Sequence, residues 1–482
     1  MAPRNVSRRD FFRSTAVAAG ALAASTAQAA SPNSRVRVAL VGCGLRGMQH
    51  LDALAKLSSA GSAVEVVGVS DVFSSRRDKA VAKLGGKSNA KPFATADYRD
   101  LLAREDVDAV CLATPDHWHA TMTLDALAAG KHVYVERPFV HRIEEIAPVL
   151  DAYRDSGRVV QVGAQRTSDA RWTAARDYLQ AGRIGKVLQA QTEYFRNSST
   201  GQWRWLGLSR DMTPSQIDWK RFLGVERGLN PETPFDRAKF AQWRCYWSFG
   251  SGPFGELMTP RVTEMLLALG ATYPRRVVGS GGIFWEYDGR DVPDSATVVA
   301  DFAEGSQLLL TGVTGNDHAI EHCIRGRLGT LRFDLSRDGF QFLPQRPQAT
   351  RVRDARSEYV AAAKPRDETL AHWENFLQAI AANDPAAVSN TPDLAAAAAS
   401  VVLLGLESYR TGRALEWDST RRLPMVSGPE YAHHWERLSQ QQQAERDSGW
   451  KSPSSRGGGE ICPPDFQKLA GPWRNEWTDP AV

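Results

Sequence analysis

Three glycines early in the chain have the spacing of a phosphate-binding turn. Gly42, Gly44 and Gly47 follow directly on the apolar run 36–41 and precede a stretch with helical character. Glycine lets the turn tighten and lets backbone N–H groups approach a diphosphate, and the N-terminus of the following helix attracts the anion. The residues predicted to bind the diphosphate are Gly42, Gly44, Leu45, Arg46 and Gly47.

A carboxylate is placed to bind the nucleoside of the same ligand. A second apolar run, 64–70, ends at Asp71, where a carboxylate can accept hydrogen bonds from the hydroxyls of an adenosine ribose. Because Asp71 would repel a 2′-phosphate, the sequence favours NAD as the cofactor. Arg76 and Arg77 follow closely. They would either receive that phosphate or form a solvated helix start, so NADP stays open.

The elements around this turn alternate in the rhythm of a doubly wound parallel sheet. Strands are predicted at 36–41, 64–70, 109–113, 132–135 and 159–162, with helices between them at 48–58, 75–84, 120–129 and 143–156. The strand runs are apolar on both faces, which is typical of buried parallel strands. The sequence therefore predicts an α/β fold that begins with a Rossmann domain over residues 35–165.

The rhythm changes after Arg166 and indicates a second, α+β domain over residues 166–422. Strands are predicted at 187–195, 277–284, 296–302, 308–313 and 330–335, with helices at 172–181, 369–381 and 395–409. The remaining residues, 423–482, contain a polar run and end with two tryptophans. They are predicted to form a C-terminal extension that docks on the body of the protein or on a neighbouring subunit.

Composition excludes several classes of function. Across 482 residues the hydrophobic fraction is 42%, the charged fraction is 24% and the net charge is +4, which are ordinary values for a globular chain and give no nucleic-acid surface. The five cysteines lie far apart, without the spacing of a metal site. No metal and no nucleic-acid partner are therefore predicted.

The first thirty residues have the features of an export signal. Ser7-Arg8-Arg9-Asp10-Phe11-Phe12 is followed by a small apolar run and by Ala27-Gln28-Ala29, a cleavage-type sequence. The paired arginines resemble a twin-arginine leader, which implies export of an already folded protein to the periplasm. The apolar run is shorter than the about 20 residues that span a bilayer. Residues 1–30 are therefore predicted to be a removable signal, without a permanent membrane span.

Two later segments resemble the Gfo/Idh/MocA family of oxidoreductases. They are Ala113-Thr-Pro-Asp-His-Trp-His119 and Gly130-Lys-His-Val-Tyr-Val-Glu-Arg-Pro138, which match the family patterns TPxxxH and GKHVxxEKP. The resemblance extends from about Val36 to Arg422. It implies that the second domain has a large, mostly antiparallel open sheet that covers the nicotinamide and forms homo-oligomer contacts. It also implies a sugar or cyclitol substrate.

The resemblance also implies which residues form the site. Those implied near the cofactor are Thr114, Pro115, His119, Glu136, Arg137 and Gln165. Those implied near the substrate are Tyr194, Arg196, Asn197 and Arg261.

The expected catalytic positions depart from the family pattern. The usual lysine and D-x-x-x-H pair are replaced by Arg137, Glu256 and Pro260. Arginine stays protonated, so Arg137 can hold an oxyanion but cannot relay a proton. Glu256 and His119 are the candidates for proton transfer, with Arg137 beside them. The alternative is that Glu256 pairs with Arg261 or caps a helix and has no catalytic role.

Three functions follow from these residues. The first is an exported NAD(P)-dependent oxidoreductase that acts on a sugar, cyclitol or sugar derivative and keeps its nicotinamide cofactor tightly bound. The second is a glycoside hydrolase or lyase that uses bound NAD for transient oxidation. The third is a catalytically silent sugar-binding homologue, which the three replaced residues would suit.

Overall fold

The N-terminal part of the chain forms a six-stranded parallel sheet. The computed structural model describes residues 35–85, 92–270, 273–346, 355–363, 365 and 367–441. The strands are β1 (Val36–Val41), β2 (Val64–Ser70), β3 (Phe93–Thr95), β4 (Ala109–Leu112), β5 (His132–Glu136) and β6 (Val160–Gly163). Their order is β3-β2-β1-β4-β5-β6, which confirms the predicted Rossmann sheet. The order reverses between β1 and β4, where a crevice opens at the carboxyl ends of the strands.

Helices cover both faces of this sheet. They are α1 (Leu45–Ser59), α2 (Ser74–Leu84), α3 (Tyr98–Leu102), α4 (His119–Ala128) and α5 (Ile146–Ser156). Alternate residues of β1 enter opposite hydrophobic cores, since Val38 and Leu40 pack in one and Ala39 and Val41 in the other. This two-sided burial explains the uninterrupted apolar run that predicted the strand.

The second domain is built on a ten-stranded sheet. Its strands are β7 (Val187–Phe195), β8 (Arg276–Gly282), β9 (Ser295–Asp301), β10 (Gln307–Val313), β11 (His322–Gly326), β12 (Gly329–Phe333), β13 (Gly339–Pro344), β14 (Glu358–Ala361), β15 (Leu415–Asp418) and β16 (Leu423–Val426). The order is β14-β13-β12-β11-β7-β10-β9-β8-β15-β16. The β7–β10 pair is parallel and the other pairs are antiparallel, which confirms the mostly antiparallel sheet.

Seven further helices complete the described chain. They are α6 (Ala170–Gln180), α7 (Trp219–Leu223), α8 (Arg237–Ala241), α9 (Thr259–Leu269), α10 (Glu368–Ala382), α11 (Pro392–Thr411) and α12 (Glu430–Gln441). A π-helical segment, Pro253–Met258, leads directly into α9. Helix α11 packs closely on β8, because a Cβ atom at Gly279 would lie 1.8 Å from the carbonyl oxygen of Gly405. Within the described ranges, no helix is long and apolar enough to cross a membrane.

Packing does not follow the predicted domain limits everywhere. Helix α10 lies within the predicted second domain, 166–422. It nevertheless buries Trp373 and Phe376 in a hydrophobic core of the Rossmann domain. The indole of Trp373 stacks on Tyr134 with ring centroids 4.3 Å apart, and its N–H donates to His50 over 2.9 Å. The β15–β16 hairpin runs across Arg422, so the sheet extends beyond the predicted limit at 422. The predicted signal, residues 1–30, lies outside the described residues.

We expect Trp373→Ala to destabilise the protein by about 3–5 kcal/mol, because it leaves a large cavity between α10 and the Rossmann sheet and removes the donor to His50. Urea unfolding followed by circular dichroism measures this change. Glu374→Ala, at an exposed position on the same helix, is the matched control and should change the free energy of unfolding by less than about 0.5 kcal/mol. Equal effects of the two substitutions would contradict the assigned packing.

Candidate active site

A cleft opens at the carboxyl ends of β1 and β4 and continues to the short elements between β7 and β8. Most of the residues predicted for the site line this cleft. They are Gly42, Gly44, Leu45, Arg46, Asp71, Thr114, Pro115, Glu136, Arg137, Tyr194, Arg196 and Glu256. The two domains therefore contribute to one cavity.

The fold requires glycine at two of the three positions of the turn, and the third glycine faces the cleft. Gly42 has φ +91°, and a Cβ atom there would lie 2.5 Å from the carbonyl oxygen of Ala113. A Cβ atom at Gly47 would lie 1.9 Å from the carbonyl oxygen of Gly42. At Gly44 the nearest atom would be the Arg76 guanidinium, at 3.7 Å. Gly44 therefore keeps space open in the cleft, as a diphosphate requires.

Asp71 holds the glycine turn and keeps acceptor capacity. One carboxylate oxygen accepts from the backbone N–H of Cys43 and the other from that of Phe73, both at 2.8 Å. A carboxylate has about four acceptor sites, so two remain for ribose hydroxyls. Arg76 lines the cleft with its guanidinium 4.9 Å from the ring centroid of Phe240. Arg77 instead donates to the carbonyl oxygen of Asp71 over 2.6 Å.

Glu136, at the end of β5, connects helix α1 to the Rossmann sheet. Its Oε1 atom accepts from Arg46 Nε at 2.7 Å and from Gln165 Nε2 at 2.8 Å, and it lies 2.9 Å from His50 Nε2. Burial opposes ionisation, but Arg46 and His50 hold the pKa of Glu136 well below its usual value. Gln165 does not line the cleft itself, and its hydrogen bond orients Glu136.

His119 does not line the cleft either. Its Nδ1 atom lies 2.7 Å from the carbonyl oxygen of Pro138, and its Nε2 atom lies 3.0 Å from that of Thr114. Burial lowers the pKa of His119, so the ring is neutral near pH 7 and donates from one nitrogen. Both nitrogens face carbonyl oxygens, which leaves none directed at the cleft. This placement favours a role in positioning the turns after β4 and β5.

Glu256 is a buried carboxylate on the π-helical segment. Its Oε2 atom accepts from Arg244 Nε at 2.7 Å and lies 3.5 Å from the Arg137 guanidinium. Arg137 also donates to the backbone carbonyl of Glu256 over 2.6 Å. Arg261 instead pairs with Glu264 at 3.2 Å. The Glu256–Arg261 pair considered from the sequence is therefore replaced by contacts with Arg137 and Arg244.

Asp116, which the sequence did not single out, lies against Glu256. Its Oδ2 atom accepts from the hydroxyl and the backbone N–H of Ser251, at 2.7 and 3.1 Å. Asp116 Oδ1 and Glu256 Oε1 are both buried without an N–H or O–H donor among the described residues, and the two carboxyl groups interact directly, so that each shifts the pKa of the other. Such a contact requires one proton between them.

The surroundings decide which carboxyl group carries this proton. Burial, the charge of Glu256 and the hydrogen bond to it raise the pKa of Asp116 well above its usual value. Burial also opposes ionisation of Glu256, but Arg244, the hydrogen bond from Asp116 and Arg137 hold the pKa of Glu256 below its usual value. The pair is therefore a protonated Asp116 beside an ionised Glu256.

The substrate residues predicted from the sequence divide between two cavities. Tyr194 and Arg196 line the main cleft, together with Trp203, Trp205 and Leu206. Asn197 and Arg261 line a second, polar cavity, to which Tyr194 and Arg196 also contribute. The main cleft is thus lined by aromatic side chains as well as by Arg137 and Glu256.

Sequence reasoning missed Asp116, Ser251, Arg244, Trp203 and Trp205. Asp116 stands inside the Thr114–His119 motif and Arg244 inside a tryptophan-rich stretch, but nothing local indicates that they meet. Among the described residues, no three or more His, Cys, Asp or Glu side chains are grouped to hold a metal. Cys43, Cys111, Cys245 and Cys323 are buried and free.

Comparison with a family model identifies the first domain. Residues 36–164 match the Gfo/Idh/MocA model, described as an oxidoreductase family with an NAD-binding Rossmann fold. The curated relatives include an α-N-acetylgalactosaminidase from Shewanella oneidensis and a glycosyl hydrolase family 109 protein from a Shewanella species. Each is 28% identical over 182 residues, which are 35% of this chain. The matched part spans 39% of the length of each of these relatives.

Solved structures share the two-domain fold. A levoglucosan dehydrogenase in complex with NADH and levoglucosan superposes with a TM-score of 0.57 at 19% identity, covering 81% of this chain and 99% of the other. The WlbA dehydrogenase of Bordetella pertussis, in complex with NADH and UDP-GlcNAcA, superposes with a TM-score of 0.57 at 17% identity. It covers 80% of this chain and 99% of its own. These likenesses confirm the fold.

We expect Gly44→Ala to lower NAD affinity by about tenfold or more without changing the unfolding midpoint, because its backbone is in an extended conformation and its new methyl group enters the cleft. Gly47→Ala should instead destabilise the protein by roughly 1–3 kcal/mol, because its methyl group meets backbone. Calorimetric NAD titration and thermal unfolding of both variants measure these effects. Unchanged NAD affinity in the Gly44 variant would contradict the assignment of the diphosphate site.

Proposed function

We propose that this chain, whose residues 36–164 belong to the Gfo/Idh/MocA family as its NAD-binding domain, oxidises a sugar, cyclitol or sugar derivative and keeps NAD bound between turnovers. The observation that carries the proposal is the opening of the glycine turn and the Asp116–Glu256 pair into one cleft. A dinucleotide and a proton-transfer group would then meet the same substrate.

The chain fits a dinucleotide at the Rossmann end of the cleft. Gly42, Gly44 and the N-terminus of α1 would hold the diphosphate, and Asp71 would accept hydrogen bonds from the ribose. When bound, NAD accepts a hydride from the substrate carbon and can return it. Thr114, Pro115 and Arg137, which line the cleft after β4 and β5, would border the nicotinamide.

Glu256 is the group that would take the substrate proton. Arg244 and Arg137 keep its carboxylate ionised in a buried position, so it can accept a hydroxyl proton near neutral pH. Asp116 would keep its own proton and donate a hydrogen bond to Glu256, which supplies a donor to a buried carboxylate oxygen. Arg137 remains charged and would stabilise an alkoxide on the substrate.

A redox-neutral glycosidase or lyase is the second candidate. The similarity to an α-N-acetylgalactosaminidase favours it, over 39% of that relative's length. The carboxyl pair also suits it, since Glu256 would remove a proton and a protonated carboxyl group would serve a leaving oxygen. A silent sugar-binding homologue would keep the cleft without turnover.

We also propose export and self-association. Residues 7–29 support export by their twin-arginine and cleavage-type sequences, and fractionation of the native cells would test it. Four strands of the ten-stranded sheet expose apolar side chains, namely Leu188, Val278, Tyr359 and Met425, which a homo-oligomer would cover. A monomeric mass by light scattering would exclude that proposal.

Purified full-length protein should carry NAD, and a panel of neutral and acidic sugars should contain a compound that converts it to NADH. Absorbance at the NADH band and mass spectrometry of the released nucleotide measure both events. Cleavage of an aryl glycoside without net NADH would select the glycosidase. Bound NAD without any turnover would indicate the silent homologue, and absence of NAD together with no affinity for it would refute the proposal.

Glu256→Gln should lower kcat by about 10²-fold or more while NAD stays bound, because an amide cannot accept the substrate proton. Asp116→Asn should keep measurable turnover near neutral pH, since an amide can still donate to Glu256, while Asp116→Ala should not. The wild-type rate should fall as alkaline pH removes the proton that the raised pKa of Asp116 retains. The Asn variant should lack this alkaline fall. Near wild-type turnover in Glu256→Gln would remove Glu256 from the mechanism.

A further inference from the structure

The substrate end of the cleft carries uncompensated positive charge. Arg137, Arg196 and Arg244 line it. The negative charge facing them is that of the Asp116–Glu256 pair, which holds one proton and therefore a single charge. The other lining carboxylates have different partners, since Glu136 binds Arg46 and Asp71 binds the glycine turn. Arg196 also borders the second cavity, where Glu193 binds His322 and Asp317 is exposed. Of the three arginine charges, two are thus left without a counter-charge among the residues that line the main cleft.

Among the described residues Arg196 has no carboxylate partner, in contrast to most arginines of the cleft. Arg46, Arg221 and Arg244 each form an ion pair, at 2.7, 3.3 and 2.7 Å from a carboxylate oxygen. The guanidinium of Arg196 instead lies 4.7 Å from the ring centroid of Trp205. Its Nε atom is buried without a hydrogen-bond acceptor in the described part of the chain. Stacking on an indole leaves the N–H donors of a guanidinium unsatisfied.

The position of Arg196 connects this unpaired donor to the reaction centre. Arg196 follows β7 and lines the same cleft as Tyr194, Glu256 and Arg137. Its backbone forms an isolated bridge with Asn316, which fixes the base of the side chain. Backbone pairing therefore fixes the base of the Arg196 side chain, and Trp205 covers one face of its guanidinium. A planar, preorganised guanidinium of this kind matches a carboxylate in two parallel hydrogen bonds.

We propose that the substrate is a sugar acid and that Arg196 binds its carboxylate. The inference rests on the proposed function and names the class of substrate for it. The charges then balance, because Arg137 would face the developing alkoxide and Arg196 the carboxylate. A neutral sugar would offer Arg196 hydroxyl oxygens only, without the charge and the paired oxygens of a carboxylate.

The test compares sugars that differ in one group. D-Glucuronate and D-galacturonate are titrated into the NAD-loaded, full-length protein beside D-glucose and D-galactose, with D-glucose 6-phosphate as a second anion, and the Kd is measured by tryptophan fluorescence and calorimetry. We expect at least one acid to bind about tenfold or more tighter than its neutral partner. No preference for either acid overturns the proposal, and so does a preference confined to the phosphate.

Three variants show whether Arg196 causes the preference for a sugar acid over the neutral sugar. Arg196→Gln should abolish it, and Arg196→Lys should keep part of it, because a lysine retains the charge and loses the planar fork. Arg332→Gln removes the same charge from β12, outside the cleft, and should retain the full preference. A preference that survives in Arg196→Gln refutes the role of Arg196.

NAD occupancy of the same samples separates this inference from the proposed function. Protein that carries NAD but does not discriminate acids refutes the sugar-acid site alone. Protein that neither carries NAD nor binds it when NAD is added refutes the proposed function, whatever sugar it binds.

Discussion

Two buried carboxyl groups, one from each domain, interact in the cleft, and their interaction keeps one of them protonated. Asp116 follows β4 of the Rossmann sheet and Glu256 precedes α9 of the second domain. Within the described residues, neither Asp116 Oδ1 nor Glu256 Oε1 has an N–H or O–H donor from a third residue. If both groups were ionised, two like charges would lie in contact in a buried site. The packing of the two domains against each other therefore sets the protonation of this pair.

A second buried carboxylate supports the Rossmann side of the same cleft. Glu136 binds Arg46 of α1, and the ring of His50 on that helix contacts both Glu136 and Trp373 of α10. A helix distant in sequence thus fixes the helix that follows the glycine turn. Core packing and cofactor geometry share these contacts, so a defect in α10 would reach the nucleotide site through His50.

The sequence predicted what local pattern encodes. Uniform apolar runs indicated the parallel strands, and the glycine spacing indicated the turn, because both follow from short-range sterics. The strand β3 (Phe93–Thr95) and the hairpin strand β16 are short and partly exposed, so no periodicity marked them. Asp116 and Arg244 were missed because their function depends on contact with Glu256, which only the tertiary fold creates. His119 had the expected motif, but its surroundings engage both ring nitrogens.

Two of the three departures from the family pattern, Arg137 and Glu256, are electrostatically linked. Arg137 cannot lose its proton, so it acts as a fixed positive charge beside Glu256 and, with Arg244, favours the ionised carboxylate. An ionised Glu256 in turn disfavours a second charge on Asp116, which retains its proton. Pro260, near the start of α9, supplies no titrating group at all. An arginine at position 137 in place of the usual lysine is therefore consistent with the proposed role of a carboxyl pair in proton transfer.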